Sequence, residues 1–395
     1  MKRKIKVIGV DMVKFVKPGM QEPYEIMASK AIRGAIKDAG INFNEIESAF
    51  ASYSYGDSTS GQTALYKVGM TGIPVFNVNN NCSSGSTALY LARQAVENGV
   101  VECALAFGFE EMQPGALGTV YGEKTSPIQS FEDRLDVLYP GLSPDAPRAA
   151  KLFGSGGNEY IEKYGANPDI FAKVAVKTRS HAIHNPYSMF DKPLTVEEVQ
   201  NSPMIFEPYL TRYCACPPSC GAAAVIVCSE EFANKHGHKD AVEIIAQAMA
   251  TDNETTFNTG AMNLVGQDMT RRAANAVYEQ AGIGVEEVDV VELHDCFTPN
   301  EVITYEGLGL CGEGEAEAFI NNKDNTYGGK YVVNPSGGLM SKGHPIGATG
   351  LAQCTELVWH LRGTAGERQV DNARVALQHN LGLGGAVVVT MYRKP

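Results

Sequence analysis

At 395 residues the chain is long for a single hydrophobic core and points to two or three domains. Its 44% hydrophobic and 20% charged residues match an ordinary soluble globular protein, and no apolar run approaches the roughly 20 residues that a membrane span needs. A formal net charge of −12 argues against nucleic acid as the main partner, while leaving room for a phosphorylated small ligand met by a local basic patch.

In chain order, strand patterns fall at Lys6 to Val10, Ser48 to Ser52, Val75 to Val78 and Glu102 to Phe107, with helices at Tyr24 to Ala39 and Ser84 to Asn98. Gly99 follows the second helix as a natural stop. From about Gly115 to Glu207 the periodicity weakens and Pro, Tyr, Phe and Met accumulate, the pattern of an inserted loop or lid domain over a substrate. The apolar strand Gly221 to Cys228 returns to the first half, and a second half runs from Ala241 to a closing strand at Ala386 to Tyr392. The expected organisation is α/β: an N-terminal half over 1–115, the loop domain over 116–207, a return over 208–235 and a second half over 236–395. Connections through helices predict parallel pairing in the sheet centres, with helices on both faces. The basic start Met1 to Val7 lacks a signal-peptide core, and nine scattered cysteines fit a reducing, cytoplasmic setting better than a disulfide framework.

The two halves are related. Ala39-Gly40-Ile41 and Glu45-Ile46-Glu47 align without a gap on Ala281-Gly282-Ile283 and Glu287-Val288-Asp289. Further on, the segment from Cys82 to Leu89 aligns on that from His344 to Leu351, so that Gly85 falls on Gly347, Thr87 on Thr349, and Cys82 on His344. Each half reads as strand, helix, strand, reactive turn, helix, strand. A thiol from one copy and an imidazole from the other make a plausible nucleophile and base.

Cys82 precedes small residues and a helical pattern, and a helix N-terminus offers free N–H groups and partial positive charge that favour thiolate. His344 sits among many glycines, which suggests close backbone approach to a ligand, and a neutral imidazole can take the thiol proton. His294 and Cys296 end the strand Val288 to Leu293, at the edge where ligands of open α/β sheets collect. There His294 can donate to an oxyanion and Cys296 can serve as acid or base. In the segment Gln378 to Gly385, which includes His379, Gly382 and Gly384, the glycines serve either an oxyanion hole or only a tight hairpin. Cys214, Cys216 and Cys220 have no matching second ligand pair, so no metal site is expected. His181, His184, His236, His238 and His360 read as solvated or structural. Without a Walker loop or a Rossmann glycine fingerprint, nucleotide hydrolysis and hydride transfer lack support.

These segments resemble the thiolase superfamily, and within it the sterol-carrier type of thiolase. The likeness runs through Lys14 to Gly19, Gly56 to Thr59, Asn77 to Cys82, His294 to Phe297, Asp324 to Lys330 and His379 to Gly385, with four motifs in family order. It implies a thiolase fold of two βαβαβαββ halves in a layered α-β-α-β-α core with an inserted loop domain, usually a homodimer, with a tetramer as the alternative. It also implies an acyltransferase that cleaves 3-oxoacyl-coenzyme A with coenzyme A as co-substrate, or condenses in reverse. Cys82 matches the acylated nucleophile and His344 the histidine that activates it. Where general thiolases carry Asn-Glu-Ala-Phe this chain has His294-Asp295-Cys296-Phe297, and His379 stands where they have a second catalytic cysteine. The resemblance gives that cysteine's acid/base work to Cys296. It places His294 and His344 at one oxyanion hole, and the amides of Cys82 and the Gly382 loop at another.

Departures are Cys220 where the family has Asp, and an end at Arg393-Lys394-Pro395 with neither a lipid-transfer domain nor a peroxisomal tripeptide. Sterol transfer and peroxisomal residence are therefore not carried over. The competing readings are a ketoacyl synthase, which needs no second thiol, and a thiolase-fold protein that binds acyl-coenzyme A or lipid, or acts as an aldolase with a partner subunit.

Overall fold

The computed structural model describes residues 3–113, 122–143 and 145–395. Its strands are β1 (Ile5–Met12), β2 (Ser48–Ser52), β3 (Val75–Val78), β4 (Cys103–Glu110), a small hairpin of β5 (Met204–Phe206) and β6 (Leu210–Thr211), then β7 (Gly221–Ser229), β8 (Val242–Ala250), β9 (Val290–Glu292), β10 (Val332–Val333), β11 (Val375–Gly382) and β12 (Ala386–Arg393). Ten of them form one sheet in the order β10-β9-β11-β12-β8-β1-β7-β4-β2-β3. Outward from the β8–β1 junction, strands β1, β7, β4, β2, β3 occupy the places that β8, β12, β11, β9, β10 occupy on the other side. The repeat seen in the sequence is thus a repeat of topology.

Parallel pairing is narrower than expected. It joins β3, β2 and β4 in the first half, and β10, β9 and β11 in the second. The remaining pairs of the large sheet are antiparallel. A parallel pair needs a crossover, and helices supply one between β2, β3 and β4. Strand β12 instead follows β11 through a tight turn. The chain leaves and re-enters the first half at the same end of the sheet, on either side of the loop domain, so β7 must run back along β4.

Both faces of the sheet are covered, and residues alternate between them with period two. Ala223, Val225 and Val227 of β7 face inward, where they meet Leu89 of the helix Ser84–Glu97 and Leu351 and Leu357 of the helix Thr349–Arg362. The same inner layer takes Val290, Ala376 and Tyr392 from the second half. Ala222, Ala224 and Ile226 face outward onto Ala28, Ile32 and Ala35 of the helix Tyr24–Ala39. On the other outer face, Val291, Leu377 and Val387 pack with the helices Gln267–Ala281 and Thr298–Gly307 and with loop-domain residues Leu152, Phe153, Ile170 and Val174. This is the layered α-β-α-β-α arrangement, with the inserted segment resting on the second half. Residues 114–121, where the expected lid begins, lie outside the described residues, as does Pro144.

Candidate active site

The turn before the helix Ser84–Glu97 is built by its own small polar side chains. Asn81 sits at φ 51° and donates from Nδ2 to the Leu383 carbonyl at 2.9 Å. Ser84 Oγ accepts from the Asn80 amide at 2.8 Å and donates to the Asn81 carbonyl at 2.6 Å. At the same point the two central helices meet. A Cβ on Gly85 would lie 2.9 Å from the Gly350 nitrogen, and one on Gly347 would lie 2.5 Å from the Phe109 carbonyl. The glycines around His344 therefore serve, at these positions, the approach of one half to the other rather than of a ligand.

Cys82 is half-buried at this junction. The expected bias toward thiolate is not met. Burial pushes its thiol up to about 12, against the pull of the Leu383 amide and its own. A resting thiol that ionises only as a neighbour takes its proton is the consequence.

That neighbour comes from the opposite helix. His344 lies beside Pro218 and Ser219, and its amide donates to Ser219 Oγ at 2.9 Å. Its Nδ1 is 2.6 Å from Thr349 Oγ1, which donates its single hydrogen to the Pro345 carbonyl at 3.0 Å. The ring must then donate from Nδ1, leaving Nε2 with a bare lone pair. Among the described residues Nε2 is buried without a partner, and burial pushes the ring's basicity down to about 3. His294 meets His344 edge to face, with ring centroids 5.0 Å apart and planes at 83°. Asn380 holds its Nδ1 at 3.1 Å, and its Nε2 is also buried without a partner among the described residues. Burial, then His344 and His379, push the His294 ring well below its ordinary value. One ligand-type atom from each of Cys82, His294 and His344 lies within 4.8 Å of the others.

Cys296 ends the same turn as His294 and is nearly fully buried, its thiol pushed well up by burial, then by Cys216 and Cys82. Asp295 between them turns away, accepting from the Leu339 amide at 2.7 Å and so anchoring the loop that leads to His344. Cys216 was not expected here. Its amide donates to the Cys296 carbonyl at 2.8 Å while Ala215 bridges Phe297 in antiparallel fashion, so Cys216 stands directly across from Cys296. Burial and then Cys82 push its thiol up. Cys214 packs by Thr211 and Cys220 by the Met112 backbone, so the three cysteines go to three places. Nothing in the sequence joins residues 216 and 296.

His379, expected in the site, is placed on the other side of β11. Its Nε2 is 3.0 Å from Thr270 Oγ1 on the outer helix Gln267–Ala281, and its Nδ1 accepts from the His294 amide at 3.4 Å. Asn380 is the residue of that strand whose side chain reaches the site. The turn Gly382 to Gly385 is the tight hairpin of the expected alternatives. It closes the β11–β12 hairpin, with the Gly385 amide on the Gly382 carbonyl at 3.2 Å, and it aims the amide of Leu383, between Gly382 and Gly384, at Cys82.

A half-buried thiol beside two buried imidazoles, on a doubled α/β scaffold, makes a thiolase-type acyltransferase centre, and comparison agrees. The thiolase N-terminal domain family matches residues 6–231 and the thiolase C-terminal domain-like family residues 250–392. The chain belongs to the thiolase family. Among its relatives, sterol carrier protein 2 of Rattus norvegicus is 52% identical over 98% of this chain and 71% of its own length. The benzoylsuccinyl-CoA thiolase subunit BbsB of Thauera aromatica is 34% identical over 97% and 96%. In fold the chain is similar to an Ltp2-ChsH2(DUF35) aldolase (TM-score 0.83, 23% identity, 99% and 98% covered) and to human mitochondrial 3-ketoacyl-CoA thiolase in complex with CoA (TM-score 0.73, 18% identity, 100% and 98% covered). Among the described residues no helix is long and apolar enough to cross a membrane.

Proposed function

We propose that the protein cleaves 3-oxoacyl-coenzyme A by thiolysis through an acyl group on Cys82, and runs the reverse condensation. Cys82 Sγ attacks the keto carbon as its proton passes to the bare Nε2 of His344. The bond to the neighbouring methylene breaks, and the electron pair settles on the thioester oxygen as an enolate. That oxygen is held by His294 Nε2 and by the now protonated His344 Nε2. Cys296 gives its proton to the enolate carbon, and acetyl- or propionyl-coenzyme A leaves while the shortened acyl group stays on Cys82. Cys296 then deprotonates a fresh coenzyme A, whose sulfur takes the acyl group while His344 returns its proton to Cys82. The amides of Cys82 and of the Gly382 to Gly385 turn hold the acyl oxygen meanwhile.

The observation that carries this reading is the pair of buried Nε2 atoms without a partner among the described residues, on two imidazoles that each bring a ring nitrogen within 4.8 Å of the Cys82 sulfur. Such atoms cost stability unless a reacting oxygen or proton occupies the gap. The relatives named for thiolase activity support it. Mass spectrometry after incubation with a 3-oxoacyl-coenzyme A should find the acyl group on Cys82 and its release on adding coenzyme A; an adduct on another side chain, or none, defeats the proposal. A homodimer suits the edge strand β3, where Phe76 is 51% exposed on an open sheet edge and Tyr66 and Met70, on the chain leading into the strand, are also exposed. Sedimentation with Phe76→Lys tests it: the variant should run as a monomer.

A further inference from the structure

One hydrogen-bond chain beneath His294 has a fixed direction from end to end. The Gly350 carbonyl can only accept, so Gln378 Nε2, 2.6 Å away, must turn its NH2 toward it. Gln378 Oε1 correspondingly accepts from the Tyr392 hydroxyl at 2.5 Å. The same NH2 donates to Ser86 Oγ at 2.8 Å, with Gln353 Oε1 a weaker acceptor at 3.3 Å. The Ser86 hydrogen is then free for Asn380 at 2.9 Å, which must present Oδ1 to receive it. With its oxygen so committed, Asn380 presents Nδ2 to His294 Nδ1 at 3.1 Å. A donor there needs a lone pair opposite, so neutral His294 carries its hydrogen on Nε2. Gln378, Ser86, Asn380, Tyr392 and His294 are all 0% exposed, and a turned Asn380 would make Ser86 Oγ accept from two amides, leaving its own buried hydrogen with no acceptor among the described residues.

The geometry points to Asn380 as a positioning residue that fixes the tautomer of His294 and so decides what the site can bind. His344 offers a lone pair and His294 offers a hydrogen at the same point. That asymmetry suits an oxygen that gains charge beside a thiol that loses its proton. It is wrong for a soft divalent metal, although Cys82, His294 and His344 form a thiol-and-two-imidazole set at near-coordinating separations. A metal would need lone pairs from both rings, and Asn380 withholds one. The catalytic consequence rests on the thiolysis reading; the tautomer does not.

The test begins with wild-type protein carrying 15N-labelled histidine, the His294 signals being identified by their loss in His294→Asn. Neutral His294 should show the Nε2–H tautomer, and an Nδ1–H signal would overturn the proposal. In Asn380→Asp the carboxylate can only accept. His294 should switch to Nδ1–H, acyl transfer to Cys82 should fall about 100-fold as an oxyanion donor is lost, and added Co2+ should give a thiolate-to-cobalt charge-transfer band that wild type lacks. Ser86→Ala frees Asn380 to turn and should give a mixture of tautomers. An unchanged tautomer in Asn380→Asp, or an equal cobalt band in wild type, overturns the proposal. The wild-type spectrum needs neither substrate nor variant, so an Nε2–H signal without any acyl adduct would reject thiolysis and leave the tautomer assignment standing.

Discussion

Cys82 and His344 stand on equivalent turns, yet the positions around them are filled in opposite ways. Carrying the gapless match of residues 39–47 on 281–289 forward puts Ser52 on His294. Ser52 pairs with Gly108, and Glu292 with Gln378, so Gly108 falls on Asn380 and Glu110 on Gly382. In the first half this pair is small and seats the other half's turn. Ser52 Oγ donates to the Gly347 carbonyl at 2.7 Å, and a Cβ on Gly108 would lie 2.1 Å from that same oxygen. In the second half the pair is His294 and Asn380, which face Cys82. Gly382 does the seating there, with a Cβ that would lie 2.2 Å from the Asn80 carbonyl. Duplication supplied two interlocking turns, and divergence gave the nucleophile to one half and the polar pocket to the other.

The largest expected effect removes the chemistry and spares the seat. Cys82→Ala should lose thiolysis by at least about 10⁴-fold, with no acyl adduct by mass spectrometry and an unchanged thermal midpoint. His344→Ala should slow acylation by about 10²–10⁴-fold. A comparable loss from Ser52→Ala would erase the distinction between the halves.

Next comes the thiol pair formed where Cys216, on the segment returning to the first half, meets Cys296 of the second half. Cys296→Ala should lower steady-state turnover by about 10²-fold or more. Cys216→Ala, directly across the strand pair, should cost less than about 10-fold if its thiol only lines the pocket. Parallel thiolysis assays decide this, and equal losses would make the two thiols joint carriers of the proton.

The interlock itself can be broken from either side. Gly108→Ala and Gly382→Ala each drive a methyl into the backbone of the opposite half, and overpacking of this kind costs about 1–3 kcal/mol. Both should lower the midpoint in thermal denaturation. A shift from only one would mean that the two seats are not equivalent.

Much of this was open to sequence reasoning because periodicity and the internal repeat are local signals. The helix Tyr24–Ala39 and the strands Ser48–Ser52 and Val75–Val78 fall at their expected bounds, and Cys82 meets His344. Three things were not legible. Gln378, His379 and Asn380 are all polar and the strand is buried on both faces, so alternation gives no sign of which residue faces the site. Strand pairing across an insertion, which brings Cys216 to Cys296, leaves no periodic trace. The thiol of Cys82 depends on how deeply the turn is buried, and burial outweighs the helix terminus that the sequence does reveal.

The smallest expected effect is one of pH, and it belongs to the seat of His344 alone. Glu110 is fully buried and accepts from the amides of Ser54 at 3.1 Å, Tyr55 at 2.9 Å and Gly347 at 2.9 Å. Burial pushes its carboxyl from an ordinary 4.5 up to about 7, against those three bonds. A folded value above the unfolded one means that the folded chain holds this proton more tightly. Across that window, rising pH therefore costs stability, with the full cost present above about 7. Activity should run the other way, because a protonated carboxyl must place an O–H among N–H donors on both oxygens, and the turn carrying His344 loosens. The groups around it do not titrate there. His344 is pushed down to about 3, while Tyr55 and Cys82 are pushed up to about 12 and Cys220 to about 11. A turnover profile should thus rise a few-fold through pH 7 while the thermal midpoint falls. In Glu110→Gln, whose amide meets the same donors at every pH, both slopes should vanish and activity should stay near the low-pH level. A limb that survives in Glu110→Gln would move its origin out of the first half. The matching seat in the second half is Gly382, which has nothing to protonate.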